Sequence, residues 1–331
     1  MRTSEGEGVP RGHDLDWRSV DWPRVRRAVY EVQQRYAYSY SAPVSAIRQR
    51  LVMVPRETHG DQHLLEQQFT VTGAQAPVLN WQEDVFGNRV GRLRAQKVEQ
   101  EIVFATRYRI ERTSDATARP GLALADAWDD GVYLDPTALT APDEAIRAIA
   151  DRIEREGTGE SQELVAERVH AWAAAAITYQ IGVTGVQTPA AMALHLGKGV
   201  CQDYAHMMIA VLRLLGIPAR YVSGHLLGEG APHAWVEALI DDVAGLGQPE
   251  VIAFDPTHHR RAGLNYITVA VGRDYSDVAP TSGTFVGPAA GKLSAHKQAE
   301  IVEIIYDDGS VWAGSRTSKD QAKTQDEESA A

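Results

Sequence analysis

Between residues 36 and 110 the apolar side chains fall on every second position, and beyond residue 140 they recur every three or four. That change of period is the strongest constraint on the fold. Tyr36, Tyr38 and Tyr40 alternate with small residues, and Ile102, Phe104, Thr106, Tyr108 and Ile110 alternate in the same way. Period two places one face of a strand against a core. Short β-branched or aromatic runs lie at 51–54 and 69–71, and Phe86-Gly87-Asn88 reads as a hairpin turn between two such runs. No helical pattern separates them, so the spacing predicts an antiparallel β-sandwich over residues 29–113. Before it, residues 1–28 form an arm expected to be partly disordered, with a short helix over 22–34.

Residues 114–141 hold Pro120, Gly121, Gly131 and Pro136, the turn chemistry of a connector. Helices are then expected. Thr140 can cap one carrying Ile146, Ile149 and Ile153, and Ser161 can cap a second with Val165, Val169, Trp172 and Ala176 on one stripe. Thr188-Pro189 opens a third that Gly197 closes. A fourth begins near Cys201 and buries Ala205, Met208, Ile209, Leu212 and Leu215, with Gly216 and Pro218 ending it. Strands follow over 220–227, 233–240, 251–254 and 266–271, and the apolar run 301–306 is a further strand. The fold class is therefore α+β, with a second unit spanning 142–310. The polar tail, 311–331, should be disordered.

The chain of 331 residues suits two domains. No apolar run approaches the roughly 18 to 20 residues a membrane helix needs, so no membrane partner is expected. Residues 1–9 carry Glu5 and Glu7 without an apolar core, unlike a secretory signal, and the expected location is cytoplasmic. The net charge is −11, and Lys and Arg are scattered among acids. Nucleic acid is not an expected partner, because phosphate binding needs clustered cations. With one cysteine, the chain can form no internal disulfide and no four-cysteine zinc site.

That cysteine sits in Lys198-Gly199-Val200-Cys201-Gln202-Asp203. Two glycines, 197 and 199, make a tight loop, and Cys201 opens a helix. The free N–H groups and positive dipole end of a helix start favour a thiolate and can hold an oxyanion. A thiol nucleophile wants a base, and the base an orienting carboxylate. His233 stands at a strand start behind a Gly-Pro loop, in Pro232-His233-Ala234-Trp235, and Asp255 ends the next strand, in Phe254-Asp255-Pro256-Thr257. A hairpin turning around 241–250 brings His233 and Asp255 within a residue or so of facing each other.

The segments Gly199-Val200-Cys201-Gln202-Asp203, His233-Ala234-Trp235 and Asp255-Pro256-Thr257 resemble, in order, the three core motifs of the transglutaminase-like (papain-related) superfamily. The Tyr-rich strand and Phe86-Gly87-Asn88 resemble the N-terminal β-domain of its bacterial members. Together the resemblance covers residues 29–285. It implies a papain-like core of helices on an antiparallel sheet, and a Cys201-His233-Asp255 triad. That triad would cleave or exchange amide bonds of a peptide or protein through a thioester, as peptidase, amidase or acyltransferase. It further implies an oxyanion hole made by the Cys201 backbone N–H and an upstream side chain, Tyr179, with Gln180 or Trp172 as alternatives. Gln202 and Trp235 are further substrate-site candidates, although Trp235 suits half-buried packing equally well.

Other features have plainer readings. His206 is a structural histidine, Asp203 caps free N–H groups, and Tyr36, Tyr38 and Tyr40 pack a strand. His258-His259 with Asp255 lacks a zinc spacing, so no metal and no cofactor is expected. Two other functions are kept open: a catalytically silent protein-binding module on the same fold, and a zinc-dependent amidase. The sequence assigns no oligomeric state.

Overall fold

The computed structural model describes residues 17–114, 131–241 and 250–314. Its first region runs through β1 (Val25–Tyr40), β2 (Val44–Leu51), β3 (Thr58–His59), β4 (Gln62–Gln75), β5 (Val78–Glu83) and β6 (Arg89–Thr113). The long β6 pairs with β2 and β5 through its first half and with β1 and β4 through its second, all antiparallel. Its predicted alternation is real: Ile102, Phe104, Thr106, Tyr108 and Ile110 are buried and the residues between them are not. Phe86-Gly87-Asn88 makes the turn into β6, with Gly87 at φ +75° and the Asp84 carboxylate accepting the N–H groups of Phe86 and Asn88.

The expected helix over 22–34 is instead a short 3-10 turn at Trp22–Arg24 followed by β1. Here β1 is a central strand, paired with β6 on one side and with a returning strand on the other. Ala28, Val29 and Tyr30 are buried in succession, as are Val25 and Val32 nearby, so both faces of this stretch are covered. A strand buried on both faces loses the alternation by which it would be recognised.

The helical region follows. Helix α1 (Glu144–Glu156) is capped by Asp143, whose Oδ1 accepts the Ile146 N–H at 2.9 Å, and not by Thr140. Thr140 is buried and accepts from Arg213 Nη1 at 2.9 Å. Helix α2 (Gln162–Ala176) starts at Ser161 as expected. Strand β7 (Thr178–Tyr179), helix α3 (Ala190–Leu196), strand β8 (Lys198–Gly199) and helix α4 (Cys201–Leu214) come next. One apolar face was expected on α4, but every residue from Gln202 to Arg213 is buried. A helix covered on all sides must satisfy its polar groups internally. Arg213 does so with the carbonyls of Tyr133, Asp135, Ala219 and Arg273.

Behind α4 stands a second antiparallel sheet made of β9 (Ala219–Leu226), β10 (His233–Ile240), β11 (Glu250–Asp255), β12 (Arg260–Arg261) and β13 (Tyr266–Gly272), in the order β12-β11-β10-β9-β13. After the short α5 (Tyr275–Val278), the chain returns to the first sheet. There β14 (Thr281–Val286) pairs with β2, β15 (Gly291–Tyr306) runs the length of β1, and β16 (Val311–Ala313) pairs with β15. The expected second unit, 142–310, is corrected accordingly: residues 281–313 complete the first sheet, and the helical core is inserted between its strands. The tail expected to be disordered from 311 instead begins as strand β16, Val311–Ala313; the arm up to residue 16 and the tail from 315 lie outside the described residues.

The two regions are joined by side chains. Strand β13 is an edge of the core sheet, and an edge leaves backbone groups needing partners. Gln62 takes the N–H and donates to the carbonyl of Thr268, both at 2.8 Å. Asn88 does the same for Val271, at 2.9 and 2.6 Å. No helix among the described residues is long and apolar enough to cross a membrane.

Candidate active site

Cys201 is the first residue of α4 and is partly exposed. The residues around it pack as a unit. Asp203 folds back so that its Oδ2 accepts the Val200 N–H at 2.7 Å and the Thr184 hydroxyl at 2.6 Å. A β-carbon on Gly199 would lie 2.6 Å from that carboxylate. The glycine thus leaves room for the acid, and the acid fixes the peptide just ahead of the sulfur. Burial pushes the Asp203 carboxyl up, against these two hydrogen bonds.

Strand β7 runs parallel to β8 and sets Tyr179 level with Gly199. Its half-exposed phenol therefore stands close enough to Cys201 and Glu229 for their charges to raise its pKa, behind the larger effect of burial. Gln202 turns its amide toward the Gly185 carbonyl at 3.4 Å. Trp235 is 1% exposed and lies beneath His233 and Tyr266, with ring centroids 6.2 and 5.3 Å away. His233 and Trp235 are two residues apart on one strand, so they share a face, and the indole supports the imidazole instead of lining an open cleft. His206 is buried and accepts the Tyr275 N–H at 3.1 Å. Burial pushes its pKa down to about 4.

His233 opens β10 and Asp255 ends β11. In the observed register Val236 faces Phe254, which puts Asp255 diagonally across from His233 on the same face. His233 Nε2–H donates to Asp255 Oδ2 at 2.8 Å, and the Cys201 sulfur lies close enough to the same ring to act on its pKa. Burial pulls the imidazole down, but its bonds and charge contacts with Asp255 and Cys201 outweigh this and push its pKa up to about 10. For Asp255, burial favours the neutral acid, yet hydrogen bonds from His233, His258 and Tyr266 hold it well below the usual carboxylate range.

The sequence motifs did not mark the groups that complete this network. Tyr266 donates its hydroxyl to Asp255 Oδ2 at 2.6 Å and accepts from Arg260 Nε at 2.8 Å. His258 Nδ1 also binds Asp255 Oδ2, at 2.7 Å. Asp255 Oδ1 accepts the Thr257 N–H at 3.0 Å, and His170 Nε2 donates to the Asp255 carbonyl at 3.1 Å. On the solvent side, Glu229 spans the two imidazoles, 3.3 Å from His233 Nδ1 and 3.2 Å from His258 Nε2. The returning strand β15 adds Lys297, which donates to the Ala231 carbonyl at 2.7 Å. Burial lowers its pKa to about 8, against the charges of Glu229 and Cys201. Only His258 had a sequence signal, since it lies three residues after Asp255.

Two family models match the chain in the same order as the two regions. Residues 30–111 match the bacterial transglutaminase-like N-terminal region, and residues 147–245 match the transglutaminase-like superfamily. An uncharacterised protein of Mycobacterium leprae is 37% identical over 198 residues, which is 57% of this chain and 64% of that protein. One of Mycobacterium tuberculosis is 38% identical over 117 residues, 32% of this chain and 37% of that protein. The chain thus spans less than two thirds of the length of these curated relatives. A candidate cysteine protease of Cytophaga hutchinsonii has the same fold, with a TM-score of 0.64 and 22% identity over 84% of this chain and 92% of that one. In sequence the chain thus matches the bacterial transglutaminase-like N-terminal region followed by the transglutaminase-like superfamily core, and in structure it shares the fold of the Cytophaga protein.

Proposed function

We propose that the protein is a cysteine enzyme that cleaves or exchanges amide bonds of peptides or proteins through a thioester on Cys201. The observation that carries the reading is a single imidazole, His233, bonded at 2.8 Å to a buried carboxylate and interacting with a partly exposed thiol at a helix start. A ring held in its charged form beside a sulfur favours the thiolate. The thiolate attacks the amide carbon, and the tetrahedral oxyanion is met by the Cys201 N–H and the Tyr179 hydroxyl. His233 gives its proton to the leaving nitrogen, the carbon–nitrogen bond breaks, and a thioester remains. Water or an amine then attacks the thioester and passes a proton to His233, which restores the thiolate and the charged ring. Asp255 keeps Nε2 protonated and stabilises the cation throughout.

Water as acceptor makes a peptidase or deamidase, and an amine makes a transferase. The loops at 228–232 and 260–264 flank the site and control which acceptor reaches the thioester. A peptide library incubated with and without a primary amine, read by mass spectrometry against Cys201→Ala, separates these outcomes. Amine adducts identify a transferase, shortened peptides a protease, and a shift of about one mass unit at Gln a deamidase. Identical products from wild type and Cys201→Ala would remove the reading.

A further inference from the structure

We propose that Glu229, His233 and His258 form a binding site for one zinc-class divalent ion, and that an ion bound there reversibly silences the enzyme by occupying the catalytic imidazole. The silencing rests on the acyl-transfer reading above, but the site itself does not. One ligand atom from each of the three residues lies within 4.8 Å of the other two. The Glu229 oxygens stand 3.3 Å from His233 Nδ1 and 3.2 Å from His258 Nε2. Ligands at about 2.0 to 2.1 Å from a tetrahedral zinc are themselves about 3.3 Å apart, and each of these contacts, made by a different oxygen of Glu229, has that length.

The far side of each ring points the same way. His233 Nε2 and His258 Nδ1 both bind Asp255 Oδ2, at 2.8 and 2.7 Å. An ionised carboxylate only accepts, so each far nitrogen carries its proton. In the neutral tautomers this leaves the lone pairs on His233 Nδ1 and His258 Nε2, the nitrogens nearest Glu229. A carboxylate behind each imidazole is the arrangement that orients histidine ligands and strengthens their donation to a metal. Asp255 serves both rings at once.

Glu229 is held from both sides. The next-but-one carbonyl, Ala231, accepts from buried Lys297 at 2.7 Å. The preceding Gly228, at φ +85°, lies under Trp17, whose ring would be 2.1 Å from a β-carbon there. Glu229 and His258 remain about one third exposed, which gives an ion a way in, while His233 is buried. Two nitrogens and one carboxylate suit zinc and its neighbours, whereas magnesium and calcium prefer oxygen ligands. Such an ion takes the Nδ1 lone pair that His233 needs for proton transfer, so the metal is an inhibitor and not a cofactor.

The test starts from full-length protein stripped with a chelator and then dialysed free of it. Zinc chloride is titrated calorimetrically into wild type, Glu229→Gln, His258→Asn and Cys201→Ala. The expected result is one equivalent bound by wild type and by Cys201→Ala, affinity at least tenfold weaker in Glu229→Gln and His258→Asn, and no competition from magnesium. Equal zinc affinity in all four proteins, or no binding to wild type, overturns the site. Turnover of a peptide substrate is then followed, each protein being compared with its own metal-free rate. One equivalent of zinc should abolish turnover of wild type and chelator should restore it, while Glu229→Gln keeps most of its rate at that zinc concentration. Stripped enzyme that is inactive and gains turnover with zinc would overturn the inhibitory role. If no turnover is found with or without the ion, the acyl-transfer reading and the silencing that depends on it both fall, and calorimetry still decides the site.

Discussion

Two carboxylates on neighbouring strands of the core sheet, Glu237 on β10 and Asp255 on β11, each bind a histidine side chain within hydrogen-bonding distance. Glu237 holds His59 at 2.9 Å and also pairs with Arg220, with all three buried. Asp255 holds His233 at 2.8 Å, but there the cluster runs outward to the one-third-exposed Glu229 and His258, and Cys201 beside His233 is partly exposed. The two histidines respond in opposite ways. Burial pushes His59 down, and Glu237 does not reverse this because the positive charges of Arg220 and Arg56 act against a second cation. For His233 the bonds and charges of Asp255 and Cys201 outweigh burial, and it is pushed up to about 10. The same pair of groups leaves the ring neutral where buried guanidinium groups already balance the carboxylate, and charged where the carboxylate faces the imidazoles.

The comparison breaks most sharply under matched amide substitutions. Asp255→Asn should lower kcat by about 10⁴-fold, because an amide cannot hold the required tautomer, and should also lower stability, because buried His233 loses its partner ion. Glu237→Gln should leave kcat within a few fold of wild type and lower stability by about 3 to 5 kcal/mol, because Arg220 loses its buried partner ion. Kinetics and urea unfolding of both variants check the pair, and equal effects on kcat would erase the distinction.

Acid should weaken the sealed regions next. His59, His206 and His225 are each pushed down by burial, His206 to about 4. Their unfolded counterparts take a proton near pH 6.5. The unfolded chain therefore binds more protons between pH 6.5 and about 4, and stability is lost as the pH falls through that window. The slope should reach about 1.4 kcal/mol per pH unit for each histidine. Unfolding curves from pH 7.5 to 4.5 measure it, and a constant midpoint would contradict the neutral, buried rings.

Smaller effects separate the joint between the regions from the site. Asn88→Ala leaves the N–H and carbonyl of Val271 without their side-chain partner, which should cost about 1 to 3 kcal/mol of stability with kcat unchanged. Tyr266→Phe removes one of several hydrogen bonds to Asp255. It should cost about 1 kcal/mol of stability and lower kcat by a few fold, with KM unaltered.

What could be read from the sequence follows from how local each signal is. Gly199, Cys201 and Asp203 lie within five residues, and their packing is nearly complete within that stretch. The nearness of His233 to Asp255 depends only on one hairpin, so its register could be anticipated to within a residue or two. Glu229, His258 and Lys297 meet only after loops from three elements close on one another, and nothing in their spacing records it. The alternation in β6 was legible because one face is buried, whereas β1, covered on both sides, looked helical over 22–34. The run at 301–306 could be read as a strand, but its partner lies some 270 residues earlier in β1, a pairing that no local pattern specifies.

Activation of the sulfur by His233 is tested most directly by the reaction of iodoacetamide with the chain's one cysteine. Labelling of Cys201 at pH 6 should be rapid in wild type and at least a hundredfold slower in His233→Ala, because removing the charged ring removes what favours the thiolate. Equal and slow labelling in both proteins, rising only above about pH 8.5, would mean that the imidazole does not activate the sulfur.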